Sequence, residues 1–245
     1  NESILPPVIQ RNILENPGWY TAYTPYQAEV AQGRLEALLN YQTVICDLTG
    51  MEISNASLLD EATSAAEAMT MLHGCRTRDQ IKNEVNKFIV SDDIFDQTLA
   101  VLETRAEPLG IEIVLSNTDS IEIDEKVFGC MVQYTGKTGK INDLETLSKK
   151  IEKSNCKLIV AADLMSLTVL KEPSAFNSDV VIGTSQRFGI PLGYGGPHAG
   201  YFATKKEYKR FIPGRIIGVS KDRNGNRALR MALQTREQHL SLIHI

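Results

Sequence analysis

Amines, thiols, imidazoles and carboxylates are the groups with which this chain could do chemistry, and their spacing admits few arrangements. Lys205 and Lys206 carry primary amines that could condense with a carbonyl. They open a charged run with Glu207 and Lys209, which reads as a solvated face. Gly193 to Gly196 superficially suggests a phosphate loop, but it lacks the strand–GxGxxG–helix context of nucleotide binders. Its glycines instead let the backbone approach another surface. Cys46, Cys75, Cys130 and Cys156 are scattered with no C-x-x-C pair, and three lie in apolar stretches, so they read as reduced structural thiols. His73, His198, His239 and His244 form no ligand-like grouping with them, and no metal site is expected. Asp163 follows an apolar run and by itself reads as a polar residue closing a strand. Tyr20, Tyr23 and Tyr26 recur every third residue, so in an extended arm they would not share one face. Such aromatics serve as packing anchors or interface residues.

The elements that must position these groups alternate. Residues 5–27 are punctuated by Pro6-Pro7, Asn16-Pro17-Gly18 and Pro25, so they read as an extended arm with one short helix. Helical apolar spacing then runs from Ala28 to Leu48 and closes at Gly50. A second helix is expected from near Ser64 to Leu72, with Asp60 and Glu61 ahead of it and Gly74 as its C-cap. Short apolar runs at 87–90, 111–115, 127–134, 158–162, 180–183 and 200–204 read as strands. Helices are expected at 95–106, 143–154 and 205–211. Runs such as Leu158-Ile159-Val160-Ala161-Ala162 are apolar at every position, the pattern of strands covered on both faces. Residues 216–232 read as a hairpin about the two-residue turn Asn224-Gly225. The fold class is α/β with a mainly parallel sheet flanked by helices. A net charge of -4 offers no footprint for nucleic acid, and no apolar run is long enough to span a membrane.

Three stretches go beyond a generic α/β pattern: Asn16 to Gln27 (NPGWYTAYTPYQ), Asn55 to Ala68 (NASLLDEATSAAEA) and Ser185 to Ala199 (SQRFGIPLGYGGPHA). Together they closely resemble the N-terminal half of glycine cleavage P-proteins, over roughly positions 4 to 239. The resemblance implies the large domain of a type I pyridoxal-phosphate (PLP) transferase. It gives an arm at 1–27, that domain at 28–239, and an atypical tail at 240–245. In that family two similar halves occur, fused or as separate subunits, and the C-terminal half carries the PLP lysine. For the complete enzyme it implies that glycine is decarboxylated with PLP and its aminomethyl group passes to the lipoyl arm of the H-protein.

A PLP site of this type needs a lysine amine, close-approaching backbone N–H groups at a helix N-terminus, a carboxylate for the pyridine nitrogen and an aromatic stacked on the ring. By resemblance the lysine position falls on Gln186, and an amide cannot form an imine. The phosphate cradle falls on Ala62–Glu67, without glycine, and the stacking position on Thr138. Asp163 alone survives, as a relic of the pyridine partner. No catalytic or cofactor-binding residue is therefore expected here. Tyr23, Tyr26, Gln27 and His198 are candidates to line the substrate channel of the other half, although His198 also reads as a loop-ordering histidine. The expected partners are the PLP-bearing C-terminal half and the lipoylated H-protein, in a dimer-type assembly. The expected compartment is bacterial cytoplasm, with mitochondrial matrix the alternative. The first and last residues look like truncations, and 240–245 like a foreign tail.

Overall fold

In the computed structural model, residues 4–192, Tyr194 and residues 198–233 are described. The apolar runs assemble into one seven-stranded sheet: β1 (Ile53–Ser54), β2 (Lys87–Ser91), β3 (Glu112–Ser116), β4 (Val127–Tyr134), β5 (Lys157–Ala162), β6 (Val180–Thr184) and β7 (Gly200–Thr204). Their spatial order is β1-β7-β6-β5-β4-β2-β3. The neighbours from β3 to β6 pair in parallel, as expected of strands joined by covering segments. β7 is antiparallel to both β6 and β1. β7 follows β6 directly in the chain, and the described residues between them form one 3-10 turn, Gln186–Phe188, and no crossover helix.

Helices α1 (Pro7–Ile9), α2 (Gln32–Thr49), α3 (Glu61–Gly74), α4 (Arg78–Lys82), α5 (Asp96–Ala106) and α6 (Leu144–Ile151) accompany the sheet. Alternation along β5 shows why its strand is apolar throughout. Leu158, Val160 and Ala162 face a core shared with Ile45 of α2 and Leu144, Leu147 and Ile151 of α6. Ile159 and Ala161 face the opposite core, built on Ala65, Met69 and Leu72 of α3 and Leu102 of α5. Full burial of a side chain such as Met69 or Leu72 contributes about 2 kcal/mol.

Several boundaries differ from the sequence expectation. α3 starts at Glu61 rather than near Ser64, because Asp60 is its N-cap and accepts the Thr63 N–H at 2.7 Å. α2 begins at Gln32, not Ala28, and Gly50 ends it at φ +70°. The expected helix at 205–211 is a single 3-10 turn, Lys206–Tyr208. α4 was not anticipated; it owes its single turn to a Thr77–Gln80 capping box. In β4 the register slips at Phe128, opposite the Lys87/Phe88 step. Phe128 thereby joins the α3-side core and stacks on Phe88 with ring centroids 5.4 Å apart.

A separate hairpin, β8 (Ile217–Lys221) and β9 (Arg227–Met231), packs Ile217, Leu229 and Met231 on Leu35 of α2. Its reversal spans Asp222–Asn226 rather than a two-residue turn. Asp222 Oδ1 accepts the N–H groups of Asn224 and Asn226, each at 2.8 Å. Residues 234–245, including His239, His244 and the atypical tail, lie outside the described residues, as do Gly193 and 195–197 of the glycine loop.

Candidate functional site

In open α/β sheets ligands sit beyond the carboxyl ends of the parallel strands. Here β4, β5 and β6 end beside one another, since Tyr134 is paired with Ala162 and Ala161 with Ile182. Asp163 prolongs the ladder by donating its N–H to the Tyr134 carbonyl at 3.0 Å. Beyond these ends lie Asp163, Ser185-Gln186-Arg187 and the start of α3. Gly200, where β7 begins, is held so close to α3 that an added Cβ would stand 2.2 Å from the Asp60 carbonyl oxygen.

Asp163 is engaged by its own chain. Arg187 Nε lies 3.1 Å from both carboxylate oxygens and Nη2 lies 2.7 Å from Oδ2. The carboxylate also accepts the Met165 N–H at 2.9 Å. The reading of Asp163 as a strand-end residue and as a relic acid thus meets a third fact, an ion pair that uses the carboxylate within this chain. The pair raises the guanidinium pKa further above its already high value. Gln186, adjacent in sequence, is buried in the 3-10 turn Gln186–Phe188 and donates its Nε2 to the Ile190 carbonyl. Its amide is spent on ordering its own loop.

The N-terminus of α3 carries negative charge. Asp60 already occupies the Thr63 N–H, and half-buried Glu61 follows it. Burial pushes the Glu61 carboxyl up to about 7, opposed by a hydrogen bond from Gln133 Nε2 at 3.3 Å and reinforced by the charges of Asp163 and Asp60. Gln133 itself is fully enclosed, and its Oε1 has no hydrogen-bond partner among the described residues. Tyr41 of α2 closes the other side, its ring edge-on to Phe188, and burial raises its phenol to about 12.

The structure therefore gathers Gln186, Asp163 and the start of α3 into one polar cluster. Thr138 lies elsewhere. Its N–H and hydroxyl both donate to Asp93 Oδ1, at 3.2 and 3.1 Å, beyond the end of β2. The arm candidates also separate. Tyr23 is half-exposed and its hydroxyl is hydrogen-bonded to Gln27, whereas Tyr26 packs against the core of the β8–β9 hairpin. His198 is half-buried just ahead of β7. Sequence reasoning missed Arg187, Glu61, Gln133 and Tyr41. For Arg187 a signal existed, since it follows Gln186 directly in the sequence.

A PLP group does not fit these residues. No amine stands at position 186, the carboxylate for a pyridine nitrogen is taken by Arg187, and the α3 N-terminus presents Asp60 and Glu61 to what would be a phosphate. Among the described residues, no group of three or more His, Cys, Asp or Glu could hold a metal, and no helix is long and apolar enough to cross a membrane.

Residues 1–242 match the family described as glycine cleavage system P-protein. The chain is 62% identical over 240 residues to a glycine dehydrogenase (decarboxylating) of Christiangramia forsetii, covering 98% of this chain and 25% of that protein. It is 61% identical over 238 residues to the protein of the same name in Flavobacterium johnsoniae, covering 97% and 25%. A solved glycine decarboxylase (P-protein) of the glycine cleavage system, in inhibitor-bound form, superposes with a TM-score of 0.85 at 35% identity, covering 98% of this chain and 54% of that one. The fold is that of the PLP-dependent transferases, as expected. The chain spans about a quarter of the length of the curated relatives it matches.

Proposed function

Because this chain belongs to the glycine cleavage system P-protein family, we propose that it is the part of a glycine dehydrogenase (decarboxylating) that does not hold the cofactor. The complete enzyme releases the glycine carboxylate as CO₂ and passes the aminomethyl group to the lipoyl arm of the H-protein. PLP belongs to the C-terminal half, which supplies the electron sink for that decarboxylation. This chain contributes one wall of the site and a docking surface, within a dimer-type assembly of halves. A cytoplasmic location follows from its resemblance to bacterial relatives.

The observation that carries the reading is the pair of neighbours Gln186 and Arg187. One cannot form an imine, and the other neutralises the acid that a pyridine nitrogen would require. What these residues do is structural: Arg187 ties β6 to the end of β5, and Gln186 orders the loop that leads to His198.

The test is a titration of the 245-residue chain with PLP, followed by absorbance. No imine band is expected. A stable band abolished by substitution of one lysine would overturn the assignment. The competing reading is a scaffold that touches no part of the site. The exposed Tyr23, bonded to Gln27, argues for an arm that contributes more than assembly. Replacing Tyr23 with Ala in the full-length enzyme should then lower kcat, while a scaffold would weaken assembly alone.

A further inference from the structure

Asn224 and Gly225 form a reactive pairing that the proposed function does not use. They are the only Asn-Gly sequence in the chain, and both are exposed at the tip of the β8–β9 hairpin. The turn engages the Asn224 N–H, donated to Asp222 Oδ1 at 2.8 Å, and among the described residues no hydrogen bond restrains the Asn224 side-chain amide. Gly225 stands at φ +86°, and a Cβ built on it would meet nothing within 4 Å, so no side chain screens its backbone nitrogen from that side. Other asparagines lack one of these features. Asn16 precedes Pro17, which has no N–H to lose. Asn117 engages both ends of its amide, Nδ2 with Asp92 and Oδ1 with the Asp119 N–H. Asn226 donates Nδ2 to Asp222 at 3.1 Å and is followed by Arg227.

We propose that Asn224 is a site of spontaneous deamidation, through attack of the Gly225 backbone nitrogen on Asn224 Cγ, and that the product loosens the hairpin tip. The nitrogen loses its proton to solvent hydroxide, the new C–N bond closes a succinimide ring, and the side-chain nitrogen takes up a proton and leaves as ammonia. Water then opens the ring. Cleavage at the side-chain carbonyl leaves aspartate, whereas cleavage at the main-chain carbonyl leaves isoaspartate, with the chain running through the former side chain. A water is consumed and an ammonia released, with no oxidant or reductant. Local charge favours the anionic steps, because Lys221 and Arg227, directly opposite each other, and Arg223 outnumber Asp222 at the tip. The Gly225 N–H must first leave the Asp222 carbonyl, 3.1 Å away, and such openings are frequent at an exposed loop tip. The product carries a second carboxylate beside Asp222, whose Oδ1 accepts the N–H groups of Asn224 and Asn226, and isoaspartate also lengthens the turn by a methylene. The base of the hairpin stays clamped by two glutamines of α2 that pair with its backbone as a strand would. Gln42 holds the Ile217 N–H and carbonyl at 2.7 and 3.1 Å, and Gln32 holds those of Leu229 at 2.9 and 2.8 Å.

Peptide mapping by mass spectrometry tests this on the 245-residue chain aged in warm, mildly alkaline buffer. The mass gain of amide-to-acid conversion is expected in the peptide that holds Asn224, as a mixture of aspartate and isoaspartate. Gly225→Ala should slow that gain by about tenfold or more, since a side chain on the attacking residue raises the barrier. Asn224→Ser should abolish it. Amide hydrogen exchange in the aged chain should quicken from Ser220 to Ala228 while Ile217 and Leu229 keep their protection. No gain at Asn224 in the folded chain, over a time in which the urea-unfolded chain converts, overturns the proposal. So does a gain carried by aspartate alone and undiminished in Gly225→Ala, which assigns it to direct hydrolysis of the side-chain amide. Equal conversion at Asn117 or Asn226 overturns it as well, because the hairpin tip then holds no special site. Exchange unaltered by ageing overturns the loosening of the tip.

Discussion

Arg187 and Asp163 hold each other through contacts of 2.7 to 3.1 Å, with about a quarter of each side chain still exposed. At that exposure the pair is worth about 1 kcal/mol in a double-mutant cycle, more than an open surface pair and less than a buried one. Its chemical effect is larger than its stabilising one. Gln186→Lys alone should give no imine band with PLP, because the new amine would face an acid already neutralised. Gln186→Lys combined with Arg187→Ala frees Asp163 and is the variant in which absorbance should first change; a band in the single variant would count against this account. Glu61 gives a pH signature. Its carboxyl is raised from 4.5 to about 7 in the folded chain, so the native state binds the proton more tightly than the unfolded state. Stability from this group is therefore full below pH about 4.5, declines as pH rises through about 7, and is flat above. Glu61→Gln should remove that slope and gain roughly 1–2 kcal/mol relative to wild type at pH 8, measured by urea unfolding at pH 5 and 8. Identical slopes in the two proteins would show that Glu61 is ionised throughout. Gln186 and Asp163 could be singled out only through the family resemblance, which marked the positions before residue type could say that an amide forms no imine. Glu61 was not singled out, since a carboxylate ahead of a helix reads as a cap until Gln133 and Asp163 are seen beside it.

The elements were read best where their physics is local. β5 and β6 declared themselves by unbroken apolar runs, and Gly50 by ending a helix. Boundaries failed where a side chain reassigned them. Asp60 begins α3 three residues early because its carboxylate takes the Thr63 N–H, and Asp60→Ala should cost about 1 kcal/mol by denaturant midpoint. Contact with β7 makes the same corner intolerant of added atoms. Gly200→Ala places a methyl 2.2 Å from the Asp60 carbonyl oxygen and 2.4 Å from Ser64 Oγ, and should cost about 2 kcal/mol or more. If Gly200→Ala proves as stable as wild type, α3 and β7 do not pack as closely as described. The slip at Phe128 had no local signal at all. It depends on the partner strand β2 and on Gly129, where a Cβ would stand 3.0 Å from the Phe88 ring.

At the scale of the molecule, the amino ends of the central strands are knotted together by one buried acid. Asp179 accepts the Leu158 N–H at 2.9 Å and the Tyr208 hydroxyl at 3.1 Å, and pairs with Lys205 at 3.1 Å and Lys157 at 3.5 Å. Asp179→Ala would leave those donors without their acceptor and should cost about 3 kcal/mol, read as a fall in the urea midpoint. No motif announced it, because its partners come from β5, the segment after β7 and the turn at Tyr208. The parallel centre was legible from alternating elements, whereas the antiparallel β7 and the two-residue β1 were not, since pairing direction at a sheet edge depends on the route of a loop. That edge has a consequence for synthesis. Among the described residues, Ile53 and Ser54 pair only with Thr204 and Ala203 of β7, so they wait for that strand to exist. On a ribosome the strands from β2 to β6 can close one after another as they emerge, while α2, the arm and β1 wait for nearly the whole domain to be made. The arm, with its uncovered apolar side chains, thus leaves the exit tunnel well before the strands that anchor it, so trigger-factor-like holdases should crosslink to it until β7 has emerged.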